Sequence, residues 1–525
     1  MRSPVGRVPS VWLPALGILV LAGAGCGLGQ AGINPPMDQI FLPSGLAADP
    51  DGNWLYVINS NNDLRFNAGT LLALDLQKAQ LDRDKPSAEP GVVPAWQECT
   101  TTHFIDDEAP ETLAATLDSP CCLDRLRPHI LNCNERAYVQ ADATVQIGSF
   151  GGDTTIQTYT GADGEPVSRL FMVVRAEPSI TFVDITHSDG SVHMRCNGSR
   201  QDADPQLHNP FCDDNWRIRR PGGSAIADNV LPEEPHSLAL DQDWGILYVS
   251  HLTITVNRQI VGGGVSTIDV SALLDHPEAP NVINSIARVV FPTSSVQGVT
   301  AMTLEKPGNP NGVLYAVARS SADITGMVLQ KCYAPGPIHE PVPICDASSP
   351  VRDLSLVPGE QITSSAFLPS GTDVRGFLLS PDGKSAYVLH RNTPESTSST
   401  DPAALVVLDR ADRNGEPANQ PSAILEVCSG PTHMQFHNAG RGELLYITCF
   451  EGGQIYVVDP QVPLVLAIIE AGHGPTALTF SPSDRTIAFV VDYADNNVSV
   501  IDFKPGSPTE YMEVQRLGFP HAVTK

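Results

Sequence analysis

Four histidines and three arginines stand at the margins of short apolar runs in this chain, and imidazole and guanidinium are side chains suited to gripping a ligand. His236 and His433 lie where such runs begin, whereas His251 and His390 close the runs 246–251 and 385–390. Arg175, Arg319 and Arg391 each follow the end of a run, and Asn59 and Asp492 close two more. Histidines gathered beside carboxylates suit a transition metal such as Zn, Cu or Fe. Arginines, with Asn59 and Asp492 beside them, suit an anionic or polar ligand. Both readings require residues far apart in sequence to converge; otherwise each is an ordinary polar residue bonding to a neighbouring loop. The chain contains no serine nucleophile elbow, phosphate-cradling glycine loop or HExxH pair, so no catalytic residue is assigned. The run Asp49-Pro50-Asp51-Gly52-Asn53 superficially resembles a calcium loop, but it lacks the downstream bidentate glutamate and reads as a turn.

The elements that would position these residues repeat along the chain. The stretch 362–409 shows the pattern: a short strand, the turn Pro381-Asp382-Gly383, the strand Ala386-Tyr387-Val388-Leu389-His390, a loop, and a third strand ending in Asp409. Two β runs joined by such a turn form a hairpin, because the turn accepts a residue of positive φ. Seven copies follow one another between about residues 39 and 521, six of them ending the third strand in aspartate (Asp75, Asp184, Asp269, Asp409, Asp459, Asp502). A residue repeated in nearly every copy serves the architecture, here by accepting turn N–H groups. Self-similarity at this spacing, with three visible strands and a fourth leading into the next copy, is the mark of propeller blades. The expected fold is all-β: a seven-bladed β-propeller with disulfide-stapled loop insertions. In such a ring first-strand starts and second-strand ends share one face.

The copies resemble the YVTN-type β-propeller repeat, with Pro50-Asp51-Gly52 and Leu55-Tyr56-Val57-Ile58-Asn59, and Val498-Ser499-Val500-Ile501-Asp502, as the nearest matches. Propellers of this kind are similar to phosphogluconolactonase-type lactonases and dehydrogenase subunits, so the resemblance implies either an enzyme or a binding module. Gly518-Phe519-Pro520-His521 matches the junction at Glu234-Pro235-His236, which implies a ring closed by strands from both chain ends. Which end supplies the outer strand stays open. Three insertions decorate the ring, at about 77–140, 187–231 and 330–360, the first with an expected short helix over 111–126.

Length, charge and cysteines set the address. The formal net charge of −27 over 525 residues argues against a nucleic-acid partner, which would need clustered lysine and arginine. With 45 prolines and 43 glycines, many short strands and turns outweigh a helical bundle. Residues 1–25 read as an export signal: Arg2 and Arg7, an apolar run broken by Pro14, then Leu21-Ala22-Gly23-Ala24-Gly25-Cys26. This resembles a bacterial lipoprotein signal, which implies lipid on Cys26 and a linker over 26–36 leading to the propeller at 37–525. Gly27 in place of aspartate implies the outer membrane. Setting Cys26 aside leaves ten of the 11 cysteines, an even number suited to an oxidising compartment. The expected pairs are Cys196/Cys212, Cys332/Cys345 and Cys428/Cys449, while pairing among Cys99, Cys121, Cys122 and Cys133 stays open.

The resulting expectation is a monomeric, lipid-anchored cell-envelope propeller that binds an envelope protein or polymer without catalysing a reaction. It touches the membrane only through its lipid and carries no required cofactor, a transition metal at His236, His251, His390 and His433 being the one candidate. The alternative is a propeller enzyme, either a lactonase-like hydrolase or a metal-dependent oxidoreductase, with its site on the channel rim.

Overall fold

The computed structural model describes residues 32–84, 96–99, 120–160, 164, 166–197, 210–219, 231–243, 245–256, 259–270, 286–290, 298–305, 313–319, 323–330, 355–363, 373–391, 403–411 and 417–518. These residues form seven sheets in chain order, each built on four antiparallel strands that follow one another in the chain, except that two strands of the first insertion precede the fourth strand of the first sheet. The first strands are Pro43–Ala48, Gly151–Thr160, Pro235–Asp241, Val299–Glu305, Asp373–Leu379, Pro431–His437 and Pro475–Phe480. Each first strand touches the first strand of the next sheet, and the seventh touches the first, so the sheets are blades of a closed β-propeller. Among the described residues no helix is long and apolar enough to cross a membrane.

The blades cohere because the sheets pack face to face. Phe171, Phe182, Trp216 and Leu247 belong to one apolar cluster spanning blades 1 to 3, and Tyr446, Phe480 and Phe503 lie in another between blades 6 and 7. Strand residues facing a neighbouring blade on both sides of a sheet read as continuous apolar runs, as in the fully buried Trp54–Asn59. The strand-terminal aspartates serve the turns. Asp459 accepts the N–H groups of Gln461 and Val462, and Asp502 accepts that of Lys504 and the hydroxyls of Ser507 and Thr509. Asp75 caps a helix, Leu76–Arg83, which the sequence pattern did not announce. Asp184 instead holds buried Arg169 through two bonds of 2.6 and 3.0 Å.

The ring closes differently from the expectation. All four strands of blade 7 come from residues 475–517, so no strand of the N-terminal end enters it. A hairpin from the first insertion acts as the clasp: Leu131–Cys133 pairs in parallel with Met512–Leu517, and Cys121–Leu123 pairs with Leu131–Cys133. Residues 120–126, part of the expected helix, thus carry a strand, while 111–119 lie outside the described residues. Disulfides Cys99–Cys122 and Cys121–Cys133 staple the clasp. Cys196–Cys212 and Cys428–Cys449 are also bonded, and Cys332 and Cys345 lie outside the described residues. The second and third insertions give up part of their length to the sheets, since Ser191–Arg195 and Ser355–Thr363 are the fourth strands of blades 2 and 4.

Charged groups bind the clasp to blade 7. Arg516 grips Glu513 through two bonds of 2.6 and 2.5 Å and reaches Asp124 of the clasp at 3.6 Å, while Arg127 approaches Glu513 at 3.6 Å. Behind them the Ser499 hydroxyl lies 2.5 Å from Asp492 Oδ2 and 2.7 Å from Glu513 Oε1. One hydroxyl hydrogen serves only one of these contacts, so a second proton resides on a carboxyl. Burial pushes the Asp492 carboxyl well above its ordinary range, against the opposing bond from Ser499. The folded state keeps that proton, whereas an unfolded aspartate releases it near pH ~3.9. The stabilisation is therefore complete below that pH and is lost as pH rises through the raised folded-state value. We expect D492N, which mimics the protonated carboxyl, to gain stability relative to the parent as urea midpoints are followed from about pH 5 to about pH 9. Parallel pH profiles for the two proteins would show that Asp492 does not hold the proton.

Candidate functional site at the propeller axis

Every blade interrupts its first ladder at the same place. The register slips between Pro43 and Gly45, Gly151 and Thr154, Pro235 and Leu238, Val299 and Ala301, Val374 and Gly376, Pro431 and His433, and Pro475 and Ala477. A bulge frees one or two residues from pairing and re-aims their side chains. In four blades the bulge frees a single residue that carries a hydroxyl: Ser44, Thr300, Thr432 and Thr476. Ser44 donates to the Gly151 carbonyl at 2.7 Å, Thr300 to Val374 at 2.8 Å and Thr432 to Pro475 at 2.9 Å. Each of these bonds ties one innermost strand to the next. The strands come so close that a Cβ on Gly45 would collide with the Gly152 carbonyl oxygen.

Blades 2, 3 and 5 break this pattern, and their bulges carry Asp153, His236 and Arg375. Asp153 keeps the tie with reversed polarity, because its carboxylate accepts the Leu238 N–H of blade 3 at 2.9 Å. In blade 3 Ser237 turns to Ser250 at 3.0 Å, and His236 is released. His236 feels the charges of Arg175, Arg375 and Arg319, which come from blades 2, 5 and 4. Groups from four blades thus meet around the axis. Burial, and then these three guanidinium charges, lower the His236 pKa to about 4, so the imidazole is neutral at pH 7.

The arginines are only partly neutralised. Arg375 bonds Asp373 at 2.6 Å, Arg319 approaches the same carboxylate at 3.6 Å, Arg391 pairs with Glu451 at 2.5 Å and Arg175 stands 4.0 Å from Glu234. His236 Nδ1, Arg375 Nε and Asp373 Oδ1 are buried atoms without a hydrogen-bond partner. Such atoms are costly unless something fills the space between them. Across the ring, Asp153 of blade 2 faces the charge of His433 of blade 6. Enclosure raises the Asp153 carboxyl and lowers the His433 imidazole, and each opposes the other's shift.

The structure sorts the sequence-derived candidates by strand phase. Arg175 and Arg319 lie one residue beyond a second strand, Arg391 is the last residue of one, and all three reach the arginine cluster around the axis. Asn59, His251, His390 and Asp492 are buried within the blades instead. Asn59 is fully buried and spends its amide on the Gln39 carbonyl, Thr70 Oγ1 and the Phe41 N–H. Asp492 belongs to the buried cluster described above. His251 is sealed between the Glu233 carbonyl and Ser266 Oγ at 3.1 and 2.9 Å. His390 is 1% exposed, and burial lowers its pKa to about 4. Of the four histidines expected at a metal centre, His251 and His390 sit inside blades, and among the described residues no three-donor group includes any of the four. Asp153 and Arg375 were missed. Their signal was in the sequence, as the two charged residues where aligned junctions carry serine or threonine.

No protein-family model matches the chain, and no curated protein matches it. Solved structures of similar shape include Kuenenia stuttgartiensis hydrazine synthase, at TM-score 0.47 and 13% identity over 90% of this chain and 97% of that one. The periplasmic gluconolactonase of Pseudomonas aeruginosa aligns at TM-score 0.43 and 15% identity over 83% and 87% of the two chains. A protein from Lactobacillus plantarum aligns at TM-score 0.42 and 13% identity over 72% and 90%. At these scores and identities the likenesses carry no argument, and the propeller fold rests on the sheets themselves.

The site makes a direct electrostatic prediction. Arg175 and Arg319 are partly exposed, so R175Q and R319Q should fold normally. Each should raise the His236 pKa from about 4 toward the ordinary imidazole value, because one opposing charge is removed. The imidazole proton shifts followed by NMR against pH report it. An unmoved His236 in the double variant would show that the arginines do not converge on it.

Proposed function

We propose that the protein is an exported propeller with YVTN-type repeats that binds an anionic group at the arginine-ringed axis. In this reading the partner is an acidic envelope protein or polymer, and binding involves no catalytic step. The carrying observation is the set Arg175, Arg319, Arg375 and Arg391 around neutral His236, with Arg375 Nε and His236 Nδ1 left unpartnered. In a chain of net charge −27 this is a local reversal of sign. A positive site in a negative field selects for a partner segment that carries its anionic group into the site over a broad anionic surface that cannot enter it.

Export and lipidation at Cys26, with outer-membrane sorting, rest on the motif Leu21-Ala22-Gly23-Ala24-Gly25-Cys26 and on Gly27. The four disulfides among the described residues suit an oxidising compartment. One observation favours a second reading, a lactonase-like hydrolase: a neutral imidazole with a free nitrogen beside guanidinium groups could take a proton from water while the arginines hold a carboxylate.

The test uses the mature chain with Cys26 replaced, titrated calorimetrically with inorganic phosphate and with poly-L-glutamate. Binding should weaken by about tenfold or more in the R175Q/R319Q double variant and fall steeply with added salt. Undiminished binding in that variant, or none in the parent, would remove the axis as the binding site. Turnover of a lactone panel that is lost in H236A would instead establish the hydrolase.

A further inference from the structure

The Pro-Asp-Gly turn of blade 1 differs from its counterparts in a way the turn itself does not need. Blades 5 and 7 open this turn with serine, and the hydroxyl does the local bonding. Ser380 Oγ accepts the Ser385 N–H at 2.9 Å, and Ser481 Oγ accepts the Asp484 N–H at 3.1 Å. The turn aspartate of blade 5, Asp382, is paired with Lys384 at 3.3 Å. Blade 1 has Asp49 at the serine position and Asn53 where the lysine would stand, so it gains one negative charge and loses a positive one.

A third donor arrives from the next blade. His187, on the strand Ser179–Ser188 of blade 2, brings Nε2 to 3.6 Å from Asp49 Oδ1. One ligand atom from each of Asp49, Asp51 and His187 lies within 4.8 Å of the others, and theirs is the only such three-donor group among the described residues. Its frame is fixed. The Asp49 N–H bonds the Trp54 carbonyl at 2.9 Å, the Gly52 N–H returns to the Asp49 carbonyl at 2.8 Å, and Gly52 adopts φ +72°. Tyr56 donates its hydroxyl to Asp49 Oδ1 at 3.0 Å, as an outer partner orients a ligating carboxylate. Asp49 is 1% exposed, and among the described residues neither it nor Asp51 forms an ion pair with lysine or arginine. Burial raises the Asp49 carboxyl, with the charge of Asp51 adding to the shift and His187 opposing it. A buried carboxylate with a second, exposed one beside it calls for positive charge.

We propose that Asp49, Asp51 and His187 form a divalent-metal site that pins blade 1 to blade 2, distinct from the axis. One imidazole nitrogen and two carboxylates suit Zn²⁺ or Mn²⁺, with water completing the coordination. An all-oxygen preference, as for Ca²⁺, would leave the imidazole without a role.

The experiment takes the mature chain with Cys26 replaced, strips it with chelator, dialyses it and titrates it with ZnCl₂, MnCl₂ and CaCl₂. Zn²⁺ or Mn²⁺ should bind at about one equivalent and raise the unfolding midpoint by about 2 °C or more at excess metal. H187A should abolish that equivalent and D51N weaken it by about tenfold or more. Both side chains are exposed, so neither change threatens folding. H473A, at an exposed histidine on the blade 6–7 connection, should retain it. No retained metal in the parent, or parent-like uptake in both H187A and D51N, would overturn the assignment. Ca²⁺ binding indifferent to H187A would overturn the nitrogen donor.

Discussion

The structure depends on seven strands standing close together around one axis. Each first strand must turn side chains toward its neighbours while still pairing with its own second strand, and a bulge at a common position meets both demands. Ser44, Thr300 and Thr432 then spend their hydroxyls on the carbonyl of the next blade. A bond of this kind contributes about 1 kcal/mol; its larger effect is on angle and spacing, which it sets from inside the ring. A blade that gives up its hydroxyl can present something else at the axis, and blades 2, 3 and 5 present Asp153, His236 and Arg375. Architecture and site therefore compete for the same positions.

Much of the ring was legible because its signals are local. Pro-Asp-Gly turns, alternating apolar runs and strand-terminal aspartates act over a few residues, and Asp459 and Asp502 accept turn groups as their repetition implied. Phase was harder. His251 and His390 stand beside residues that reach the axis, yet strand side chains alternate, and one residue of offset seals them inside a blade. Arg391, one position beyond His390, points the other way and pairs with Glu451. The bulges left no mark in composition, because a register slip is a property of two strands together. The helix Leu76–Arg83 and the parallel clasp escaped for a similar reason: what holds them is tertiary, including the Gln515 amide on the Ala79 carbonyl, 436 residues away in sequence.

Charge is organised by depth. The chain carries a net charge of −27, while among the described residues buried ions are held in discharged sets such as Arg169 with Asp184 and Arg516 with Glu513. Beside the proton-sharing cluster of Asp492 and Glu513, two places among the described residues depart from this order. At the axis positive charge exceeds its partners, and at the blade 1–2 seam negative charge does. Both departures coincide with positions where one blade differs from its sisters, which is how a repeat protein shows where it has been specialised.

The clasp has a consequence for how the molecule is made. Its hairpin lies near residue 130 and its partner strand near residue 515, so during synthesis the receiving half exists long before the strand it must hold. Stapled by Cys99–Cys122 and Cys121–Cys133, it can form as a local unit and wait. Ring closure then becomes the docking of one late strand onto a prepared edge, in place of a search between two unformed chain ends. Until that moment the edge is open to any extended segment, including the corresponding strand of another copy. Formation of these two disulfides thus sets the order of assembly as well as the final stability.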